Sequence, residues 1–428
     1  MKSIKVGLLG FGTVGTGVVR IIENHREDLL NQIGSSVEIE KILVSNLNKK
    51  RNIEVDPNKL TDDPWEVIRN PEVNVIIEVM GGTTATKEYL IEALNLGKHV
   101  VTANKDLMAL YGTEILELAQ RNGCDVYYEA SVAGGIPIIR TLIEGFSSDR
   151  ITKIMGIVNG TTNYILTKMS QEGASYDDVL REAQALGYAE ADPTSDVEGL
   201  DAARKMTILA RLGFHTSVDL GDVSVQGISS VSKEDIVYAK RLGYELKLLG
   251  IAECDENQVS VSVQPTMVKT SHPIASVNGV FNAVFVTGEA VGETMFYGAG
   301  AGELPTAISV VADLVAVSKN IKLGISGKRV NTAYKQTHLK TKDQISSKYF
   351  MLLHVADRAG VLARITQEFA KYEVSLESVI QQPNDAEKYA EIIVITHDAS
   401  KQAIENVIQS FEQIDVIHEV KSVYRVEG

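Results

Sequence analysis

The chain has 428 residues, of which 44% are hydrophobic and 23% charged, values that predict a globular protein of two or three domains. The formal net charge of −14 at pH 7 argues against a nucleic-acid partner or an anionic membrane surface. No long apolar stretch stands out, and the N-terminus lacks the features of a signal peptide. Cys124 and Cys254 are the two cysteines and lie far apart, which favours a reducing compartment. We therefore expect a cytoplasmic protein.

The first 130 residues alternate short apolar runs with amphipathic stretches. The predicted strands cover residues 4–9, 37–44, 73–80, 99–102 and 126–129, and predicted helices cover residues 87–96 and 113–121. Strands that alternate with helices indicate an α/β domain with a mostly parallel sheet.

A glycine motif follows the first predicted strand and opens the next helix. It runs Gly10-Phe11-Gly12-Thr13-Val14-Gly15 and matches G-x-G-x-x-G. In this context the glycines let the backbone approach a pyrophosphate, and the helix start offers N–H groups to it. We therefore predict a Rossmann-type dinucleotide-binding domain in residues 1–130; a glycine-rich turn without a ligand is the alternative.

The end of the second predicted strand bears on the choice of coenzyme. Ser45 stands where NAD-specific sites usually carry an acid, and Lys49, Lys50 and Arg51 follow it. A basic cluster suits a 2′-phosphate, so NADP(H) is favoured over NAD(H). A solvated surface loop would look the same in the sequence.

Two later strand ends add candidate residues at the same edge of the sheet. Gly81 and Thr83 belong to a loop of small residues after the third strand and are predicted to contact the coenzyme; a simple turn is the alternative. Lys105 follows the next strand and could hold a substrate carboxylate or transfer a proton; a surface lysine is the alternative.

From about residue 131 glycine-rich turns interrupt mixed segments, which predicts an α+β domain for residues 131–325. Predicted strands there include residues 258–264 and 283–289, and predicted helices include residues 200–212 and 304–317. A polar linker is expected over residues 326–347. Residues 348–428 then read as βαββαβ.

The most informative stretch is an acidic loop that leads into a helix. Tyr188, Glu190 and Asp196 lie in the loop, while Asp201 and Lys205 share one face of the helix at i, i+4. Carboxylates could bind an amino group there, and the lysine could serve a hydroxyl or carbonyl oxygen. An exposed ion pair is the simpler alternative.

This stretch resembles the signature of the homoserine dehydrogenase family over residues 183–205. The supporting blocks are residues 102–105, 129–137, 159–164 and 300–306. The resemblance covers residues 1–325 and implies an NAD(P)H-dependent interconversion of aspartate 4-semialdehyde and homoserine, on the route to threonine, isoleucine and methionine. It also implies a homodimer or homotetramer, and it assigns substrate binding, catalysis and dimerisation to residues 131–325.

The resemblance implies a role for each matching residue. Lys205 matches the proposed proton donor, Asp201 the residue that orients it, and Lys105 a rival proton carrier that also touches coenzyme or substrate. The residues that match substrate contacts are Glu190, Asp196, Tyr188, Gly160 and Thr161. Gly187 and Gly302 match positions that line the nicotinamide.

A monovalent cation, usually sodium, is also implied. The matching ligands are the Glu129 carboxylate and the backbone carbonyls of Val132, Gly134 and Ile136. A bend without an ion is the alternative.

Residues 353–363 resemble the first strand, turn and helix start of ACT domains, which bind amino acids. The implied effector positions are Asp357, Ala359, Gly360, Val361 and Leu362, and threonine is the expected effector. A purely dimer-forming module is the alternative.

Two other functions stay open on the sequence alone. One is a non-catalytic amino-acid or nucleotide sensor with a Rossmann domain, which would be free to lose Lys105, Glu190, Asp201 and Lys205. The other is a different reductase of small amino-acid aldehydes.

Overall fold

The computed structural model describes residues 3–328, 333–384 and 389–428. Its strands are β1 Ile4–Leu9, β2 Val37–Leu43, β3 Leu60–Thr61, β4 Val75–Glu78, β5 His99–Thr102, β6 Val126–Tyr127, β7 Ile151–Ile157, β8 Ser224–Val225, β9 Tyr244–Asp255, β10 Gln258–Lys269, β11 Phe281–Gly288, β12 Gly292–Ala299, β13 His338–Leu339, β14 Ser346–Val355, β15 Leu376–Asn384, β16 Tyr389–Thr396, β17 Ala399–Ser400 and β18 Ile417–Glu427.

The helices are α1 Thr13–Asn24, α2 Arg26–Ile33, α3 Pro64–Ile68, α4 Thr84–Asn95, α5 Lys105–Arg121, α6 Ile138–Arg140, α7 Gly160–Glu172, α8 Tyr176–Ala185, α9 Thr194–Val197, α10 Leu200–Phe214, α11 Lys233–Arg241, α12 Glu303–Leu323, α13 Val361–Lys371 and α14 Lys401–Phe411. Short helical turns add Pro57–Lys59, Glu129–Ser131, Thr141–Gly145, Leu220–Asp222 and Pro273–Ser276.

The chain folds into two compact units. The first unit comprises Met1–Ile154, Arg204–Asp222 and Phe281–Gln336, and the second comprises Met155–Ala203, Val223–Val280 and Thr337–Gly428. The domain boundaries in the sequence analysis follow chain order and stay a prediction.

The first unit contains a six-stranded parallel sheet. Its strand order is β3-β2-β1-β4-β5-β6, with β1 paired to both β2 and β4. That order places the switch point between β1 and β4, at their carboxyl ends, where doubly wound sheets bind dinucleotides. The middle strands are aliphatic because both of their faces are covered; every residue of β4 is buried. The predicted Rossmann-type sheet is confirmed.

Helix α12 completes the first unit although it comes late in the chain. Ala307, Val310 and Leu314 pack into the same core cluster as Leu8 and Val18. By length and composition this helix could cross a membrane, which the sequence analysis did not single out. Half of its most apolar window is buried in the protein, as in the core helix of a globular domain.

The second unit contains a sheet in the order β9-β10-β18-β14-β16-β15. Its last part reads β14-α13-β15-β16-α14-β18, so the predicted βαββαβ order is confirmed. Phe369 and Phe411 meet edge-on at 5.5 Å between ring centroids and hold α13 against α14. Strand β18 also pairs in parallel with β10, from Thr266↔Arg425 onward, which joins this module to the rest of the unit.

The predicted linker is partly structured. His338–Leu339 pairs in parallel with the start of β10. The linker positions 329–332 lie outside the described residues.

Candidate active site

The glycine turn between β1 and α1 has the shape that the motif predicts. Gly10 has φ +104, and a Cβ there would lie 2.9 Å from the Cα of Met80. A Cβ on Gly15 would lie 2.2 Å from the carbonyl oxygen of Gly10, so the helix can approach the strand only with glycine there. Gly12 starts α1 without a side-chain cap and faces open space. The turn therefore fits a pyrophosphate at the start of α1.

The basic cluster after β2 lies beside this turn. The Arg51 guanidinium stacks over the Phe11 ring at 5.2 Å and donates to the carbonyl oxygens of Lys49 and Asn46, each at 2.9 Å. The Lys49 and Lys50 side chains are exposed. Arg51 thus shapes the loop, while the two lysines are available to an anion.

A buried carboxylate that the sequence analysis did not consider organises the next loop. Glu78 ends β4, and its side chain accepts hydrogen bonds from the N–H groups of Met80 and Gly81 and from the Thr102 hydroxyl. Gly81 lies in this loop with φ +77. Thr83 stands at the start of α4 without a side-chain cap. An acid in an otherwise aliphatic strand was the signal for Glu78.

Lys105 is the first residue of α5, and Asn104 caps that helix by accepting from the N–H of Leu107 at 3.0 Å. The next residue, Asp106, forms an ion pair with Arg204 at 2.5 Å. Lys205 follows Arg204 on α10, so each candidate lysine is adjacent in the chain to one partner of this ion pair. Both lysine side chains are partly buried.

Asn159 gathers two acids of the signature in the second unit. Its side-chain Nδ2 donates to Asp196 at 2.8 Å and to Asp201 at 2.9 Å, while its Oδ1 accepts from the N–H of Thr162 and caps α7. The Asp201 side chain is only 6% exposed. The sequence analysis placed Asn159 in a supporting block but assigned it no role; its Asn-Gly-Thr-Thr setting, a helix cap, was the available signal.

The other substrate candidates lie on the same unit. Thr161 donates its hydroxyl to the carbonyl oxygen of Tyr188 at 2.6 Å. The Tyr188 ring is 45% exposed and packs on Tyr164 with 5.0 Å between centroids. Glu190 is exposed, and Gly187 is exposed with φ +77. Gly160 is the first residue of α7, and a Cβ there would lie 2.8 Å from the carbonyl oxygen of Val280.

The predicted cation loop follows β6 in the first unit. Both oxygens of the buried Glu129 carboxylate accept backbone N–H groups of α6, from Ile139 at 2.7 Å and Arg140 at 2.8 Å. Asp313 on α12 accepts a hydrogen bond from the N–H of Glu129 at 2.8 Å, and burial together with the neighbouring Glu129 raises the pKa of Asp313 to about 7. Among the described residues no cluster of three or more His, Cys, Asp or Glu could hold a metal, so an ion here would depend on carbonyl oxygens.

Those carbonyls lie in a tightly packed bend. Val132 and Ile136 are buried, and the Gly134 carbonyl accepts the Ser309 hydroxyl at 2.7 Å. A Cβ on Gly134 would lie 2.4 Å from the carbonyl oxygen of Gly300. Gly302, two residues later, starts α12 with φ +125. An all-oxygen set of this kind suits a hard monovalent cation.

The turn before α13 is exposed at Asp357 and Ala359, and Gly360 precedes the helix with φ +88 and no side-chain cap. Leu362 is 36% exposed. Val361 points into the core of the module and is buried, so only its backbone could meet a ligand.

Neither cysteine suits a nucleophile. Cys124 and Cys254 are both buried thiols, and burial raises the pKa of Cys124 to about 11. A thiol with a raised pKa has little thiolate at neutral pH. This agrees with a reductase that uses no covalent thiol intermediate.

Comparison with known proteins assigns the whole chain. Residues 10–129 match the homoserine dehydrogenase NAD-binding domain, residues 137–315 the homoserine dehydrogenase domain and residues 349–416 the ACT domain. A homoserine dehydrogenase of Bacillus subtilis is 56% identical over 100% of this chain and 99% of its own length.

Solved structures agree with this assignment. A homoserine dehydrogenase from Thiobacillus denitrificans superposes with a TM-score of 0.95 at 41% identity, covering 100% of this chain and 99% of its own. A hyperthermophilic archaeal homoserine dehydrogenase in complex with NADPH gives a TM-score of 0.63 at 27% identity and covers 74% of this chain and 98% of its own. The chain therefore belongs to the homoserine dehydrogenase family, whose NAD-binding, catalytic and ACT domains it carries in that order.

Proposed function

We propose that this enzyme reduces aspartate 4-semialdehyde to homoserine with NADPH, and that Lys205 donates the proton to the forming alkoxide. The observation that carries the proposal is the signature arranged around Asn159, which holds Asp196 and Asp201 by one amide group. Asp201 precedes Lys205 by one helical turn on α10, a spacing at which a carboxylate can orient a lysine. A sensor without catalysis would not need this arrangement.

Different residues of the chain act on the two ends of the substrate. Glu190 and Asp196 supply carboxylates for the substrate ammonium group, with Tyr188, Gly160 and Thr161 forming the rest of that subsite. Lys205 stabilises negative charge on the carbonyl oxygen and delivers its proton there. Lys105 binds the substrate carboxylate or the coenzyme and is the rival proton donor.

The bound coenzyme supplies a hydride to the aldehyde carbon. Gly10, Phe11, Gly12, Thr13, Val14 and Gly15 would hold its pyrophosphate, and Gly81, Thr83, Lys105, Gly187 and Gly302 are assigned to the rest of it. Exposed Lys49 and Lys50 support NADPH because they can neutralise a 2′-phosphate next to Ser45. The archaeal relative solved with NADPH supports the same choice.

Three finer assignments belong to the proposal. Sodium would be held by the carbonyls of Val132, Gly134 and Ile136 together with Glu129, whose carboxylate oxygens each keep a further lone pair. Threonine would bind at residues 357–362 of the ACT domain. The enzyme would work in the cytoplasm as a homodimer or homotetramer.

Steady-state reduction of aspartate 4-semialdehyde with each coenzyme tests the reaction and the preference together. We expect turnover with both coenzymes and a kcat/KM at least about tenfold higher for NADPH, the size of one charge-assisted contact. Lys49→Ala together with Lys50→Ala should remove that difference by weakening NADPH alone. A preference for NADH in the unmodified enzyme would overturn the coenzyme assignment, and no turnover would overturn the reaction.

A further inference from the structure

Glu78 is a buried acid for which the reaction described above gives no role. It ends β4 after Val75, Ile76 and Ile77, and its exposed fraction is 0%, as for those three neighbours. A carboxylate in such a place is costly unless donors surround it. Burial raises the pKa of Glu78, and the hydrogen bonds it accepts oppose that shift.

The donors come from two separate loops. One carboxylate oxygen accepts the N–H groups of Met80 at 2.9 Å and Gly81 at 3.0 Å, in the loop after β4. The other accepts the Thr102 hydroxyl at 2.5 Å, at the end of β5. Glu78 therefore connects the carboxyl ends of two neighbouring parallel strands, which lie at the ligand-binding edge of such a sheet.

Asn104 extends this connection to the start of α5. Its N–H donates to Thr102 Oγ1 at 3.0 Å, its Nδ2 donates to the carbonyl oxygen of Gly82 at 2.7 Å, and its Oδ1 caps α5. Lys105 is the next residue. The carboxylate, the hydroxyl and the amide thus form one network that fixes where α5 begins.

The loop after β4 also packs directly on the glycine turn. The N–H of Val79 donates to the carbonyl oxygen of Leu9 at 2.9 Å. The Met80 backbone lies so close to Gly10 that a Cβ on Gly10 would be 2.9 Å from the Cα of Met80. A displaced Met80 would therefore disturb the turn assigned to the pyrophosphate.

We propose that Glu78 is a positioning residue that fixes the glycine turn, the loop after β4 and Lys105 relative to one another before the coenzyme binds. Ordering these groups in advance lowers the entropy cost of binding the coenzyme and of aligning Lys105. The inference rests on the proposed function of Lys105, but its effect on coenzyme binding does not require turnover.

Glu78→Gln is the most direct test because glutamine keeps the shape of the side chain. Its amide nitrogen cannot accept a hydrogen bond, so the Thr102 hydroxyl must turn to accept from it, and the negative charge that faces the two loop N–H groups is lost. We expect the Kd for NADPH, measured by nucleotide fluorescence, to rise about tenfold. We also expect kcat for aspartate 4-semialdehyde reduction to fall.

Ile77→Val is the matched control. It removes one methyl group from the adjacent buried position of the same strand, so it lowers Tm without touching the network. A role of Glu78 in stability alone predicts that both variants lower Tm and leave the Kd for NADPH unchanged. That result would overturn the proposal, as would an equal rise in Kd for both variants.

Thr102→Val keeps the test available if Glu78→Gln does not fold. It removes the hydroxyl that joins the carboxylate to Asn104 and leaves the Met80 and Gly81 bonds in place. We expect a smaller rise in the Kd for NADPH, about threefold, together with a lower kcat. An unchanged Kd and kcat in this variant would contradict the proposal. An unmodified enzyme that binds NADPH without reducing the aldehyde would instead contradict the proposed reaction.

Discussion

Asn159 shows how one side chain can serve the fold and the site at once. Its oxygen caps α7 and its nitrogen holds Asp196 and Asp201, which lie 37 and 42 residues later in the chain. The sequence places an Asn before a helix, which is enough to predict the cap. The two aspartates could not be predicted as its partners, because residues this far apart in the chain come together only in the folded structure.

Asn159→Ser separates the two roles, because serine caps helices about as well as asparagine but has no amide nitrogen to donate. We expect kcat/KM for aspartate 4-semialdehyde to fall by at least tenfold because Asp196 and Asp201 lose the donor that holds them, with a moderate loss of Tm, since hydrogen bonds to charged groups contribute about 1.5–3 kcal/mol. Steady-state kinetics and thermal unfolding check this. A large loss of Tm with unchanged kcat/KM would show that Asn159 serves the fold alone.

Lys247 gives a pH-dependent prediction within the second unit. The side chain is buried in β9 and donates to the carbonyl oxygen of Val277 at 2.7 Å. Burial lowers its pKa to about 8 from the 10.5 of an exposed lysine. Between these two values the unfolded chain binds more protons than the folded chain at this group, so its contribution to stability rises with pH.

The measurement is the free energy of unfolding in urea from pH 7.5 to 10.5 for the unmodified chain and for Lys247→Met. We expect the difference, unmodified minus variant, to increase as pH rises from about 8 to about 10.5. A difference that stays flat or falls over this window would show that the hydrogen bonds of Lys247 outweigh its burial.

At the scale of elements, strong local patterns were predicted well and packing partners were not. The parallel strands of the first unit and the βαββαβ order of residues 348–428 followed from apolar runs and helical periodicity. The sequence analysis grouped α12 with the substrate domain, yet α12 packs in the core around β1 and α1. Nothing in the α12 sequence identifies the surface on which it packs.

The segment after β8 shows how closely elements meet around the signature. The N–H of Ile228 donates to the carbonyl oxygen of Val197 at 2.8 Å, and a Cβ on Gly227 would lie 2.5 Å from that oxygen and 2.6 Å from Glu198 Cα. Backbone atoms on both sides leave no room for a side chain. The position of α9, which carries Asp196, therefore depends on this glycine.

Gly227→Ala should destabilise the protein by roughly 1–3 kcal/mol through overpacking and should raise KM for homoserine by moving α9. Gly221→Ala is the control, because a Cβ there meets nothing within 4 Å. Urea unfolding and steady-state kinetics measure both effects. Equal stability and equal KM in the two variants would show that the close contact at Gly227 relaxes without affecting either property.

At the scale of the whole molecule, hydrogen bonds as well as the covalent chain join the ACT domain to the rest of the second unit. Strand β18 pairs with β10, and Asp235 of α11 accepts hydrogen bonds from Ser422 at 2.5 Å and Tyr424 at 2.9 Å. Ligand binding to the module could therefore shift equilibria elsewhere in the second unit if the ligand prefers one state. The sequence could predict the module but not these attachments.

Threonine titration of the intact enzyme tests this regulation. We expect L-threonine to inhibit aspartate 4-semialdehyde reduction, and Asp357→Ala to weaken the inhibition at least about tenfold by removing one charged contact. Asp398→Ala is the matched control, since Asp398 is an exposed acid of the same module outside the turn. Equal inhibition of all three proteins would exclude residues 357–362 as the effector site.

The central claim is that Lys205 donates the proton during aldehyde reduction, and Lys205→Ala tests it most directly. We expect kcat to fall by about 10²–10⁴-fold, as for loss of a general acid, while the Kd for NADPH stays within about twofold of the unmodified enzyme. Lys105→Ala, measured in parallel, should affect KM or coenzyme binding more than kcat. Near-normal kcat in Lys205→Ala, with the large loss in Lys105→Ala instead, would contradict the claim and assign the proton to Lys105.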